Sequence, residues 1–267
     1  MKLSLIQITG LAMALGLSAQ VSAEIPLEQA ANGDHRPAEW VARNSQRHPV
    51  ETLSFFGLEP GMTVVELSPS GGWYASVIAP FVASEGQYVA AHWDMEQETI
   101  PDFYRDAYQA FTERFADEET YGEIEIVPFN PPATASLGEA GSADMVLSFR
   151  NVHGWNNNDI LDDVLVSAHE VLKRGGVLGI VGHRLPEDRE GDPTPGYLKQ
   201  SFIVAMAESH GFALEAASDV NANPADTADH PSGVWSLPPS LRDGEETADQ
   251  FRAIGESDRF TLKFVKR

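Results

Sequence analysis

From residue 62 onward the chain alternates short apolar runs with longer stretches of helical periodicity, and this alternation leaves few folds open to it. Residues 62–67, 87–91, 124–128, 144–149 and 177–181 read as buried strands. Between them, residues 73–82, 101–116 and 159–172 read as helices, the second with Tyr104, Tyr108, Phe111 and Phe115 at helical spacing. Strands separated by helices of this length call for a mostly parallel sheet covered on both faces, an α/β architecture. A further helix is expected over 197–210, and strands over 212–216 and 259–265 bring the count to seven. Residues 219–258, rich in Asp, Pro, Asn and Gly, are expected to form loops and short turns. Before the alternation begins, residues 24–34 read as an irregular arm. Residues 37–45 and 49–56 read as two short helices, each with a proline in its first turn, where the missing N–H costs nothing.

The first 23 residues read as a leader. Lys2 is followed by an uncharged, mostly apolar stretch, and Val21-Ser22-Ala23 places small residues where a signal peptidase reads them. Three segments result: a signal peptide over 1–23, an arm and short N-terminal helical cap over 24–57, and one α/β domain over 58–267. The expected product is exported, periplasmic or secreted, without stable membrane insertion. The chain has no cysteine, so disulfides and thiolate metal sites are excluded. With 40 acidic residues against 18 basic ones, and a formal net charge of −22, its surface repels polyphosphate, which argues against a nucleic-acid partner.

The chemistry concentrates at the ends of the strands. The first strand closes on Glu66 and a small-residue turn, Ser68-Pro69-Ser70-Gly71-Gly72, before a helix begins. In a parallel sheet this places a ligand at the carboxyl edge near the positive end of a helix, with Gly71 and Gly72 allowing close backbone approach. The turn lacks the Gly-Lys-Ser/Thr of a phosphate loop. In acidic-Gly-x-Gly-x-Gly form it would be the first motif of class I methyltransferases; here Ser68 and Ser70 replace two glycines. Asp94 follows the second strand, 22 residues past Gly72, where such folds bind a ribose hydroxyl. After the fourth strand comes Arg150-Asn151-Val152-His153. Arg150 suits an acidic substrate or the carboxylate of a cofactor, Asn151 a hydrogen bond to either ligand, and His153 a general base with a near-neutral pKa.

The chain resembles the exported, methyltransferase-like proteins of bacteria with a class I S-adenosylmethionine-dependent fold. The resemblance rests on Arg47-His48-Pro49 through Gly57, Pro60 to Val64, Glu66 to Tyr74, Arg150 to His153, Asn223-Pro224-Ala225-Asp226 and Asp258-Arg259-Phe260. It implies a Rossmann-like, seven-stranded sheet in the order 3-2-1-4-5-7-6. It also implies S-adenosyl-L-methionine as cofactor, with Glu66, Ser68, Ser70, Gly71, Gly72 and Asp94 around it. Methyl transfer to a small-molecule or envelope-located substrate is the expected activity. Two alternatives accompany it: a non-catalytic ligand-binding protein on the same fold, and a metal-dependent hydrolase using His153 and His183. Export makes a direct prediction: protein recovered from the cell envelope begins at Glu24, which N-terminal sequencing checks.

Overall fold

A computed structural model describes residues 25–97, 99–191 and 194–267; the expected leader and its cleavage point lie outside the described residues. Strands β1 (Thr63–Leu67), β2 (Gln87–His92), β3 (Ile124–Pro128), β4 (Ala143–Phe149) and β5 (Leu172–Leu185) form a parallel sheet in the order 3-2-1-4-5. A two-residue strand, β6 (Leu198–Lys199), pairs with the end of β5. Strand β7 (Phe212–Ser218) lies at the far edge, and β8 (Arg259–Lys266) runs antiparallel between β5 and β7. With β6 set aside, the order is the expected 3-2-1-4-5-7-6.

The helices, in chain order, are α1 (Leu27–Asn32), α2 (Ala38–Val41), α3 (Asn44–Arg47), α4 (Pro49–Phe56), α5 (Ala75–Val82) and α6 (Asp102–Arg114). They continue with α7 (Glu118–Tyr121), α8 (Val152–Asn157), α9 (Leu161–Val171), α10 (Gln200–Ser209) and α11 (Glu245–Ile254). Alternation along the central strands sorts the core into two layers. Val64, Met145 and Leu147 face Leu53, Phe56, Ile78 and Phe111 of the cap and α4–α6 side. Val65, Leu67 and Val146 face Val164, Leu165, Ile203 and Phe264 on the other. Because successive side chains of a strand point to opposite faces and both faces are covered, the central strands read as continuous apolar runs. Among the described residues no helix is long and apolar enough to cross a membrane.

Four segments differ from the sequence-based reading. The arm over 24–34 contains α1, a six-residue helix whose buried Leu27, Ala30 and Ala31 make too short and too small a stripe to stand out. The helix expected over 37–45 is two helices, α2 and α3. The strand expected over 177–181 is longer, β5 starting at Leu172, the last residue of the expected helix, and including Lys173-Arg174-Gly175-Gly176. Leu172 already pairs with Ala143, and Gly175, at φ 80°, accompanies a shift of register against β4. Residues 219–258 hold a 3₁₀ turn (Gly233–Ser236) and α11, which buries only Ala248 and Phe251 and so shows a weak apolar signal.

The cap is seated by a particular fit. Gly179 of β5 leaves room for the Phe56 ring, which a Cβ at that position would meet at 2.9 Å. Phe56 is fully buried there. Phe56→Ala is expected to cost about 3–5 kcal/mol, as large aromatic truncations in a core do, seen as a lower urea midpoint with unchanged slope.

Candidate functional site

A cavity of about 850 Å³ opens at the carboxyl edge of the parallel strands. The β1 turn contributes Ser68, Pro69 and Ser70 to its wall; the segments after β2 and β3 contribute Trp93, Phe129 and Asn130. Phe103 and Tyr104 of α6 stand beside Trp93, with the Trp93 and Tyr104 ring centroids 4.1 Å apart, so this end is aromatic. At the other end lie Arg150, Asn151 and His153 after β4, His183 of β5, and Glu256, Ser257 and Arg259 before and on β8. Val234, Trp235 and residues 238–240 close over it.

The β1 turn keeps a glycine-like backbone without the glycines. Ser68 and Ser70 sit at φ 50° and 55°, followed by Gly72 at 86°. An L-residue in the left-handed region carries a cost on the order of 1 kcal/mol, so the two serines hold a strained loop against the cavity. Gly71 and Gly72 do not line it. The position of Gly71 is open on all sides, and a Cβ on Gly72 would lie 2.3 Å from the Phe115 ring. Gly72 is therefore a packing glycine, and a bulky residue there would disturb α6 before it touched a ligand.

Glu66 lies at the floor of the cavity, buried, with its Oε2 accepting the Tyr88 hydroxyl at 2.7 Å. Burial raises its carboxyl to about 7, against the opposing pull of that hydrogen bond and of Arg150. Asp94 is not among the lining residues. One carboxylate oxygen accepts the Thr134 hydroxyl, from the segment after β3, at 2.7 Å and the other the Glu96 N–H at 3.0 Å, bonds that lower its pKa and engage both oxygens. The β2 residue turned toward the serine loop is His92, whose Nε2 lies 3.0 Å from the Ser70 carbonyl and whose Nδ1 accepts the Trp93 N–H. Burial holds His92 down at about 4, so it is neutral and donates to that carbonyl at neutral pH.

At the opposite end Glu256 gathers arginines. Arg43 donates to it from Nε at 2.7 Å, Arg47 at 3.0 Å and Arg259 at 2.5 Å, while Arg150 stands 3.9 Å away. Burial alone would raise the Glu256 carboxyl, but Arg47, Arg259, Arg150 and Arg43 pull it down to about 2. Asn151 donates its amide to the Leu67 and Ser68 carbonyls at 2.9 and 3.3 Å, which ties the β4 turn to the β1 turn and makes it a positioning residue. His153 is brought to the cavity as expected. Its pKa is not near neutral: burial, and then Arg150, lower it to about 4, so the ring is neutral and its Nδ1 has no partner among the described residues. His183 is likewise held well below its ordinary value by burial and then by His153, with its Nδ1 2.6 Å from the Ser257 hydroxyl. The two imidazole centroids are 5.4 Å apart, yet among the described residues no group of three His, Asp or Glu converges to hold a metal. Sequence reasoning placed Glu256, Trp235 and Arg47 outside the site. Arg47 and Arg259 appear in the recurring motifs, but nothing in their spacing shows that they meet.

No family model matches the chain, and no curated protein does. Solved structures do. An S-adenosylmethionine-dependent methyltransferase from Aquifex aeolicus matches at 14% identity and TM-score 0.56, over 91% of this chain and 100% of that one. The [4+2]-cyclase SpnF matches at 14% identity and TM-score 0.56, over 88% and 84%. CrArsM, an arsenic(III) S-adenosylmethionine methyltransferase from Chlamydomonas reinhardtii, matches at 17% identity and TM-score 0.52, over 91% and 74%. The chain has the class I methyltransferase fold, a Rossmann-like sheet with its cavity at the carboxyl edge.

The buried Glu66 sets a pH dependence. Its folded pKa of about 7 exceeds the ordinary value of 4.5, so the folded state holds the proton more tightly, and stability is lost as pH rises through that interval. Glu66→Gln removes this loss. The stability of the variant relative to the parent is expected to be flat below pH 4.5 and to grow by up to roughly 3 kcal/mol above pH 7. Paired urea titrations across pH 4 to 9 check it; the buried histidines titrate alike in both proteins and drop out of the difference.

Proposed function

We propose that this chain is an S-adenosylmethionine-dependent methyltransferase acting on a small acceptor bound between the β4 turn and the segment around Trp235. The observation that carries the reading is the β1 turn: Ser68 and Ser70 retain left-handed backbone at the positions the donor-binding motif gives to glycine. The cavity also suits the donor chemically. Trp93, Tyr104 and Phe129 offer an aromatic wall for a base, and Ser68, Pro69 and Ser70 offer backbone for close approach. At about 850 Å³ it is within the range of small-molecule sites, roughly 300–1,000 Å³. Bound there, the donor supplies an electrophilic methyl group.

The chain's own residues supply position and a proton acceptor. Asn151 locks the β4 turn against the β1 turn, so a group held by one keeps its distance from the other. His153, neutral and with a free Nδ1, takes up a proton released by an O–H or N–H acceptor, and a positioned base of this kind typically contributes 10²–10⁴-fold. Its low basicity suits an acceptor whose proton is itself acidic. We extend the reading to the cell envelope on the strength of residues 1–23. A second reading, ligand binding without methyl transfer, is favoured by one feature: among the described residues the lining carboxylates are Glu66 and Glu256, and Asp94 after β2 is not one of them.

Thermal unfolding with and without S-adenosylhomocysteine tests the reading, since ligand at a hundred times its dissociation constant adds about 2.7 kcal/mol. Trp93→Ala is expected to weaken that binding. His153→Ala is expected to leave it unchanged while lowering methyl transfer from labelled donor to envelope extracts by about 10²-fold. Absence of any stabilisation rejects the methyltransferase reading, and binding without transfer favours the second.

A further inference from the structure

The buried charge at the β4–β8 end of the cavity is unbalanced. Among the described lining residues, Arg47, Arg150, Arg242 and Arg259 face only the carboxyls of Glu66 and Glu256, in a protein whose formal net charge is −22. Arg242 is exposed and lies over the Trp235 ring, and the buried guanidinium groups are not equally partnered. Arg43, Arg47 and Arg259 saturate Glu256 at 2.5 to 3.0 Å. Arg47 additionally lies over the Trp73 ring at 4.7 Å, and Arg259 donates to the Gln46 carbonyl at 3.1 Å. Arg43, which does not line the cavity, holds Glu256 through its Nε while its Nη2 has no hydrogen-bond partner among the described residues. Arg47 and Arg259 are engaged in holding the fold together.

Arg150 is not. Its nearest carboxylate oxygen, at 3.9 Å, already has closer partners, and its buried Nε has no hydrogen-bond partner among the described residues. Its backbone is left-handed, at φ 66°, pinned by an N–H bond to the Val181 carbonyl at 2.7 Å. A strained backbone that aims an unsatisfied guanidinium into a cavity is the kind of feature that functional sites preserve. His153, whose buried Nδ1 has no hydrogen-bond partner among the described residues, lines the same cavity.

Resting on the methyltransferase reading, we infer that the methyl acceptor is an anion whose carboxylate or phosphate is held by Arg150, next to His153. A guanidinium is the side chain best matched to an oxyanion, through two parallel N–H donors. An acceptor bound this way satisfies the free Nε and balances the local charge. It also brings a neighbouring nucleophilic group to the imidazole. The overall negative charge of the protein slows anions at its surface, so discrimination in their favour has to come from this buried cation.

The donor's own carboxylate is a competing source of the same chemistry, and the experiment separates the two. The full-length mature protein, in chloride buffer, is titrated calorimetrically with benzoate and acetate, each against its neutral amide, benzamide and acetamide. The inference expects at least one acid to bind about tenfold more tightly than its amide, and Arg150→Gln to erase that preference, as loss of a charged hydrogen bond would. Arg150→Gln is expected to leave S-adenosylhomocysteine affinity within about twofold, since no donor contact is assigned to it. The acid–amide comparison on the parent protein needs no variant, so a misfolded Arg150→Gln does not spare the inference. Equal binding of acids and amides overturns it. So does an Arg150→Gln variant that loses S-adenosylhomocysteine but keeps 5′-methylthioadenosine, which lacks the carboxylate. Preference for the acids with no S-adenosylhomocysteine binding would remove the methyltransferase reading and leave the anion site standing.

Discussion

A single carboxylate, Glu256, joins parts of the chain that are far apart in sequence. It lies between α11 and β8, and its oxygens receive Arg43 beside α3, Arg47 within α3 and Arg259 on β8. The cap is thereby fastened to the last strand of the sheet on the side where the cavity opens. A buried ion pair gains little net stability once desolvation is counted, but removing one partner leaves an uncompensated charge inside the protein. The arrangement is best understood as a specifier of geometry. It fixes where the cap meets β8, and so fixes the wall of the cavity that Arg47, Ser257 and Arg259 form. Hydrophobic contacts such as Phe56 against Gly179 supply the adhesion, and Glu256 supplies the register.

The fold was legible because its signal is local. Val64, Val65, Met145 and Val146 are buried on both faces of a parallel sheet, and a strand buried on both faces announces itself as an unbroken apolar run. The strand order followed from the family resemblance, since pairing of β1 with β4, some eighty residues away, leaves no trace in either segment. The site was legible only where chain continuity carries it. Ser68, Ser70, Arg150, Asn151 and His153 follow directly from strand ends, and the parallel sheet puts strand ends at one edge. Glu256 and Trp235 sit in a stretch whose composition reads as loop, and they reach the cavity by packing. Asp94 shows the opposite failure. Its spacing fits a ribose acid, but the Glu96 N–H two residues on and the Thr134 hydroxyl from the segment after β3 claim the carboxylate first.

Within the cavity burial is the largest influence on the ionisable groups, and the arginines overcome it only at Glu256. Protonating His153 or His183 would add a positive charge beside Arg150 in a buried space, and both are held neutral. Glu256 is kept ionised by the same field. Glu66, which has Tyr88 as its close partner and Arg150 only at longer range, yields to burial and rises toward neutrality. The result is a site that offers uncharged imidazoles, a hydroxyl and one cation without a full complement of partners. Uncharged imidazoles can accept protons, whereas imidazolium rings could only repel the same arginines.

A fold of this type does not dictate a reaction, as the likeness to a [4+2]-cyclase illustrates. What individualises this chain lies at the two ends of its cavity. On the β2 side a neutral His92 bonds to the serine loop, and aromatic rings replace the charged lining that Asp94 would have given. On the β8 side the lining is cationic and its geometry is held by buried ion pairs. Among the described lining residues there, Arg150 is a cation whose buried Nε has no hydrogen-bond partner. That cation, Arg150, is directed by a left-handed backbone held between β4 and β5, so its position is set by the sheet itself and not by a mobile loop.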